Sequence, residues 1–344
     1  MKRIFITGIC GFVGSNLAYY FKSLGFKVYG IDNLSRKGSE KNFRLFKKNG
    51  IKVFKKDLSN LTKDNLFNKK ISFTALIHCA ALTSVLDGTN QNSSDILYKN
   101  NILSTLQSLK ICKFLKAKFI HISSSRVYNI PEINKLKFKI KNNNFRLQKF
   151  KFFGISKKGI NENFSTESPI SFYGSSKLIS ENLVQEYCMF NNIPFVINRC
   201  GLLAGSGQFY KNDQGIVSYW INSWKNKKKL KYIGFGCNGY QVRDCLHPLD
   251  LGNLIKKQIN LIGKKKNKLI INVSGGHQSS FSLRELSLWC EKNISFKKIG
   301  KQKKNRPFDL KWIVLDNAKA KKLFKWKIKF KKHEIFKDIF LNDN

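Results

Sequence analysis

An apolar strand that runs straight into a glycine turn near residue 1 leaves few options for the rest of the chain. Ile4, Phe5 and Ile6 read as the strand, and Ser15, Asn16, Leu17 and Ala18 as the opening of a helix. Between them stand Gly8, Gly11 and Gly14, in a GxxGxxG spacing. One glycine permits a tight turn, one lets backbone approach a pyrophosphate, and one lets the helix pack close to the strand. The free N–H groups at such a helix start, with the positive end of its dipole, suit phosphate oxygens. A second strand, Lys27 to Ile31, ends in Asp32. That carboxylate lies about 20 residues beyond the turn, where a ribose hydroxyl is bound. It would repel a 2′-phosphate, so the pattern favours NAD over NADP.

Strands and helices then alternate. A helix is expected over Ser39 to Lys48, strands over Ile51 to Phe54 and Phe73 to His78, a long helix over Ser94 to Lys116, and a strand over Lys118 to Ile122. A further helix follows Tyr173 as far as Phe190, and a strand, Phe195 to Asn198, ends at Arg199. Such βαβ alternation predicts an α/β fold with a doubly wound parallel sheet, whose ligands sit at the carboxyl ends of the strands. The glycine turn, Asp32, Ala80 and Ser124 share that edge. The alternation breaks over about 129–172, a polar, basic segment centred on Asn142, Asn143 and Asn144. A segment of that length without regular structure is uncommon unless functional. It reads either as a rim over the site or as a solvated insertion. After Gly205 the pattern loosens into mixed strands and helices.

Composition narrows the class of protein. No run of about 18 apolar residues exists, so no membrane span is expected. The eight cysteines form no CxxC pair and the five histidines no HExxH, so no metal site is expected. Cysteines within apolar segments fit a reducing cytoplasm. The net charge of +43 is extreme. It raises the question of an anionic partner such as nucleic acid. The lysines are spread along the whole chain and lack a basic-aromatic motif, which favours biased residue usage over specific nucleic-acid readout. Either way the field attracts anionic substrates.

Tyr173 and Lys177 form a YxxxK pair, four residues apart on one helical face. An ammonium beside a phenol favours the phenolate and lowers a pKa that starts near ~10. Such a tyrosine can exchange a proton with a hydroxyl while hydride leaves the same carbon. Ser124, at the end of a preceding strand, can hydrogen-bond the reacting oxygen.

With these marks the chain resembles the extended short-chain dehydrogenase/reductase family, the NAD-dependent nucleotide-sugar epimerases and dehydratases. The resemblance rests on Thr7 to Gly14, Asp32-Asn33-Leu34, Asp57-Leu58, Ala80-Ala81, Asn101, Ser124, Tyr173 with Lys177, Arg199, and Gln241 to His247. It implies a Rossmann-like NAD domain over 1–198, carrying the 129–172 insertion, and a smaller α/β substrate-binding region over 199–344. About 240–262 of the latter is expected to pack back on the first domain. It implies Ser124, Tyr173 and Lys177 as catalytic residues. Gly8, Gly11, Phe12, Val13, Gly14, Asp32, Asn33, Arg36, Asp57, Leu58, Ala80, Asn101, Ser123 and Lys177 then belong to the NAD site. Asp57 and Leu58 flank the adenine, and Asn101 lies toward the nicotinamide. Arg199, Gln208, Arg243 and Arg306 are implied for a nucleoside-diphosphate sugar, with Arg243 and Arg306 gripping its pyrophosphate. A homodimer through the helices near Ser94 to Lys116 and Gly174 to Phe190 is implied as well.

Within the family, three stretches resemble the CDP-paratose 2-epimerase branch: Asp32 to Gly38, Gly207-Gln208-Phe209 with Asp213-Gln214-Gly215, and Gly239 to Asp244. Asn129, Phe172 and Leu202 depart from common family residues around the substrate pocket. The implied reaction inverts a sugar carbon through a transient keto sugar, at C2 for paratose-like substrates or at C4 for galactose-type ones. A 4,6-dehydratase would need an acidic pair directly after the catalytic serine, and here Ser125 and Arg126 stand there. A reductase using NADPH is disfavoured by Asp32. A catalytically silent sensor or nucleic-acid-binding protein on the same fold commonly loses the tyrosine-lysine pair, which this chain keeps.

Overall fold

The computed structural model describes residues 2–61, 71–89, 93–148, 152–211, 214–263 and 268–343. The first half runs β1 (Arg3–Thr7), α1 (Phe12–Ser23), β2 (Lys27–Asp32), α2 (Ser39–Lys48), β3 (Lys52–Lys55) and β4 (Ala75–His78). Helix α3 follows in three registers, α-helical over Ser93–Tyr98, π-helical over Lys99–Leu103 and α-helical over Ser104–Phe114. It leads to β5 (Lys118–Ser124). The 129–172 segment contains α4 (Ile130–Lys135) and two antiparallel hairpins, β6 (Phe138–Lys141) with β7 (Asn144–Leu147) and β8 (Ile155–Ser156) with β9 (Gly159–Ile160). Then come α5 (Phe172–Phe190), β10 (Phe195–Cys200), β11 (Leu202–Leu203), α6 (Ile216–Lys225), β12 (Lys231–Ile233) and β13 (Val242–Leu246). The chain closes with α7 (Pro248–Leu261), β14 (Lys268–Val273), β15 (Ser280–Ser282), α8 (Leu283–Asn293), β16 (Gly300–Gln302), β17 (Trp312–Ile313), α9 (Ala318–Phe324) and α10 (Lys332–Asn342). Asp213 lies outside the described residues.

Seven strands form the central sheet in the order β14-β10-β5-β4-β1-β2-β3, every neighbouring pair parallel. This is the doubly wound, Rossmann-like arrangement expected. Parallel strands buried on both faces must be apolar throughout, and β1 shows how alternation serves two cores. Ile4 and Ile6 join Leu17, Phe21, Leu251 and Leu254 under α1 and α7. Phe5 points the other way, to Leu109 and Val184 of α3 and α5. The return of late chain to this sheet runs further than 240–262. Strand β14 completes the sheet through residue 273, and Trp326 packs in the same core as Ile4.

A third core joins α6, α8 and α10 around Trp220, Trp224, Phe281 and Phe336. Here β13 pairs in parallel with β11 and β17 and antiparallel with β15. Over its described residues the 129–172 insertion is neither loose nor a rim over the cleft. Ile133, Ile155, Ile160 and Phe164 pack on Leu310, Trp312 and Leu315. The insertion therefore struts the sheet edge against the C-terminal region. Its described apolar side chains line a fourth core and not the cleft described below.

Candidate active site

The carboxyl ends of the central strands open into a cleft of about 740 Å³, closed on the far side by the C-terminal region. Gly8 turns there with φ of +65°, and an added Cβ would meet the Ala80 backbone at 2.8 Å. A Cβ on Gly14 would lie 2.2 Å from the Gly8 carbonyl oxygen. Only glycine lets α1 start this close to β1. Gly11 is the N-cap, no side chain caps α1, and its first turn holds no acid. Those amides, with Phe12 and Val13, face the cleft and suit an anion.

Asp32 knots the rim of this turn. Its carboxylate accepts from the Cys10 amide at 2.9 Å and the Leu34 amide at 2.8 Å. Burial pushes its carboxyl up, and these two amides oppose the shift. Each oxygen has a further lone pair for a ribose hydroxyl. Asn33 donates to Asp57 at 3.0 Å, and Asp57 caps the Leu58–Asn60 turn by accepting from the Ser59 amide at 2.8 Å. Partial burial would raise the Asp57 carboxyl, but hydrogen bonds from Ser59 and Asn33 outweigh it and hold it low. Arg36 reaches across to donate to the Phe209 carbonyl. With Leu58 and Ala80, these residues line one half of the cleft.

Ser124, Tyr173 and Lys177 meet in the middle. The Ser171 hydroxyl caps α5 by accepting from the Gly174 amide at 3.1 Å, which sets Tyr173 in the first turn. Ser124 lies beside the Tyr173 phenol and acts to lower its pKa. Burial raises Tyr173 to about 12, against the lowering effect of Ser124 and of the Arg126 guanidinium. Burial lowers Lys177 to about 8, with Glu181 the largest opposing influence. The expectation that Lys177 lowers Tyr173 is thus not met in this arrangement. Desolvation dominates both groups, and the cation acting on the phenol is Arg126.

Two residues assigned to ligands from the sequence lie behind the cleft. Arg199 makes an ion pair with Glu181 at 2.8 Å, and both side chains are buried. Asn101, 1% exposed, sits in the π-helical turn of α3. It accepts from the Leu82 amide at 2.8 Å and donates to the Leu82 carbonyl at 3.1 Å and to Ser176 Oγ at 2.8 Å. It therefore fixes the loop after β4 against α5. Ser123 does line the cleft, but its hydroxyl donates to Glu181 at 2.5 Å.

The opposite wall carries Gln208, Arg243 and Arg306. Arg243 pairs with Asp309 at 2.9 Å. Gln208 accepts from Ser218 at 3.3 Å and belongs to a loop pinned by α10 and the residue after it. There Ser206 donates its amide to Asp338 at 2.7 Å, and Gly207 to Asp343 at 2.6 Å. Burial alone would raise the Asp338 carboxyl, but bonds from His247, Ser206 and Asn342 hold it at about 2.

Sequence reasoning passes over Arg126 as a site residue. It lines the cleft, its amide donates to Ser124 Oγ at 3.1 Å, and its guanidinium donates to the Phe308 carbonyl at 3.1 Å. Burial and the neighbouring Arg243 lower it to about 10. Its one signal in the sequence is its position two residues after Ser124. Among the described residues no cluster of three or more metal-ligating side chains occurs, and no helix is long and apolar enough to cross a membrane.

Known proteins share this arrangement. A profile of the NAD dependent epimerase/dehydratase family matches residues 4–274. The chain is 31% identical over 253 residues to a dTDP-D-glucose 4,6-dehydratase from Dictyostelium discoideum, covering 69% of this chain and 51% of that protein, so it spans about half the length of that relative. It is 26% identical to CDP-paratose 2-epimerase from Salmonella typhi, over 83% of this chain and 82% of that one. Among solved structures, a UDP-glucuronic acid 4-epimerase from Bacillus cereus, in complex with UDP-glucuronic acid and NAD, superimposes with a TM-score of 0.78. It shares 25% identity, covering 99% of this chain and 98% of that one.

Proposed function

This chain belongs to the NAD-dependent epimerase/dehydratase family, and on that premise we propose that it is an NAD-dependent nucleotide-sugar epimerase. The observation that carries the choice of epimerase is the segment after Ser124. Elimination of water from a sugar needs an acid and a base beside the reacting carbons, and Ser125 and Arg126 supply neither. The tyrosine, serine and lysine needed for reversible oxidation of a hydroxyl are all in the cleft.

The residues present fit NAD. Gly8 and Gly14 let the turn and the start of α1 pack closer than any Cβ would allow, so that Gly11, Phe12 and Val13 face the cleft, and α1 has no side-chain cap. The α1 amides would hold the pyrophosphate, Asp32 the adenosine ribose, and Asp57 with Leu58 the adenine. When bound, NAD supplies a hydride acceptor and donor. Tyr173, as tyrosinate, takes the proton from a sugar hydroxyl and later returns it. Ser124 holds that oxygen by a hydrogen bond, and Arg126, the cation that acts on the phenol, stabilises the negative phenolate. Arg243 and Arg306 grip the diphosphate of the substrate, so the sugar end reaches Tyr173.

The preferred substrate reading is a CDP-paratose-like sugar inverted at C2, supported by the three sequence stretches that resemble that branch. A UDP-sugar 4-epimerase is the second reading, favoured by the likeness to UDP-sugar 4-epimerases. A homodimer is part of the proposal. Leu103 and Phe114 on α3 and Ile179, Met189 and Phe190 on α5 are exposed apolar residues on the two helices expected to pair. A cytoplasmic location accords with the eight free cysteines, seven of them buried.

The test is a panel of CDP-, UDP- and GDP-sugars followed by NMR in heavy water. Inversion without deuterium at the inverted carbon is expected. Deuterium uptake at that carbon would point to enolisation, and a dehydrated 4-keto product would show the epimerase assignment to be wrong.

A further inference from the structure

We infer that Glu181 is a positioning residue for the reaction: it supplies the negative charge that faces Lys177 and ties the strand bearing Ser124 to the helix bearing Tyr173. The inference rests on the reading of Tyr173 and Lys177 as the reacting pair. Tyr173, Lys177 and Glu181 follow one another at four-residue spacing, so they share the face of α5 that looks at the sheet. Glu181 is 0% exposed. Its carboxylate receives four hydrogen bonds. Arg199 Nε donates to both oxygens at 3.1 Å and its terminal nitrogen at 2.8 Å, while Ser123 Oγ donates at 2.5 Å. Ser123 precedes Ser124 on β5, and Arg199 is its register partner on β10. One side chain thus fixes α5 against the ends of two strands, next to Ser124.

A buried ion pair is weak evidence of a contribution to stability, since apolar residues of similar volume serve as well or better. What distinguishes this one is its direction. Arg199 lies beyond Glu181, stacked 5.3 Å from the Tyr128 ring centroid, whose hydroxyl in turn donates to Asn272 at 2.6 Å. The negative member of the pair is thus the one that shares a helix face with Lys177, one turn away. The other titratable groups around Lys177 are Tyr173 on its own helix, His78 and Cys79 at the end of β4, His121 on β5 and Cys200 on β10. Burial keeps both histidines neutral and both thiols protonated. Glu181 is the carboxylate that acts on Lys177.

The test uses NAD-loaded protein and Glu181→Gln, which preserves shape and removes the charge. Lys177 is titrated by NMR of isotope-labelled lysine, its resonance assigned by its loss in Lys177→Met. A unit charge one helical turn away, at an effective dielectric of about 20, is worth about two pH units. The Lys177 midpoint should fall by about one to two units in Glu181→Gln, and the alkaline limb of kcat should follow, with KM changed less than about twofold. The double variant Glu181→Gln/Arg199→Gln, which leaves no unpaired arginine, should show a smaller fall of the same sign. It keeps the test decisive if the single variant does not fold. An unmoved Lys177 midpoint, or a loss of kcat by one factor at every pH, would overturn the inference. The titration needs no sugar. A wild-type protein inert toward every nucleotide sugar would therefore count against the proposed function, while the midpoint still judges Glu181.

Discussion

Asp244 offers a stability test of the far wall of the cleft. It is 1% exposed and follows Arg243 on β13. One carboxylate oxygen accepts from the Leu315 amide at 3.0 Å and the Gly276 amide at 3.2 Å. A Cβ on Gly201 would come within 2.9 Å of the other oxygen. Asp244 thus knots the segments after β10, β14 and β17, yet it does so at an electrostatic cost. Burial raises its carboxyl from 3.8 to about 6, against the opposing bonds from Ser274, Leu315 and Gly276. The folded chain therefore binds this proton more tightly than the unfolded chain. The contribution is full below the unfolded value and is lost as pH rises through about 6. About two units of difference correspond to about 3 kcal/mol lost by neutral pH. For 344 residues the unfolding entropy is about 0.7 kcal/mol/K, so the change amounts to about 4 °C in Tm. Asp244→Asn has the shape of the protonated acid and cannot ionise. Thermal unfolding of both proteins from about pH 4 to pH 7.5 should show wild type losing about 3 °C relative to the variant. A flat difference, or wild type gaining with rising pH, would refute the reasoning.

Three further outcomes follow from the same geometry. Tyr173→Phe should retain bound NAD and lose about 10²- to 10⁴-fold in kcat, the usual worth of a general acid-base group, as read by coupled NMR of the epimer ratio; near-normal turnover would remove Tyr173 from its role. Gly14→Ala forces a Cβ to 2.2 Å from the Gly8 carbonyl, so it should cost about 1–3 kcal/mol of stability and release NAD from the purified protein, measured by absorbance after denaturation. Asp338 is held at about 2 against an ordinary 3.8, so its stabilisation is present above 3.8 and lost as pH falls through about 2. Asp338→Asn should therefore cost about 2 kcal/mol at neutral pH and raise KM by freeing the Ser206–Gln208 loop, an effect that vanishes in stability curves at the acid limit.

Local spacing decides which parts of the fold and the site are legible in the sequence. The glycine turn, Asp32 and the Tyr173–Lys177 pair are encoded by residues within one supersecondary unit, and the βαβ alternation by periodicity. Arg199 suggests a substrate contact only through the family resemblance. Its partner Glu181 lies on another element, and nothing in linear order joins them. Asn101 suggests a contact on the cofactor side, while its amide is spent on Leu82 and Ser176. The insertion looks irregular because its strands are short and basic. Yet Asn142 and Asn143 both take positive φ, 51° and 60°, as a two-residue hairpin turn requires, and Phe138, Ile140, Phe145 and Leu147 alternate beside them. Arg126 stands out in the sequence only as the absence of an acid; its reach to Phe308 depends on a wall 182 residues away along the chain.

The outermost strand of the central sheet, β14, comes from residues 268–273, long after its neighbour β10 ends at Cys200. During synthesis the nascent chain must therefore carry an open, apolar sheet border while the ribosome makes the intervening stretch. Such a border templates pairing with other chains. A premature stop before residue 268 should yield not a smaller working NAD module but a sticky intermediate, recovered in inclusion bodies or bound to chaperones.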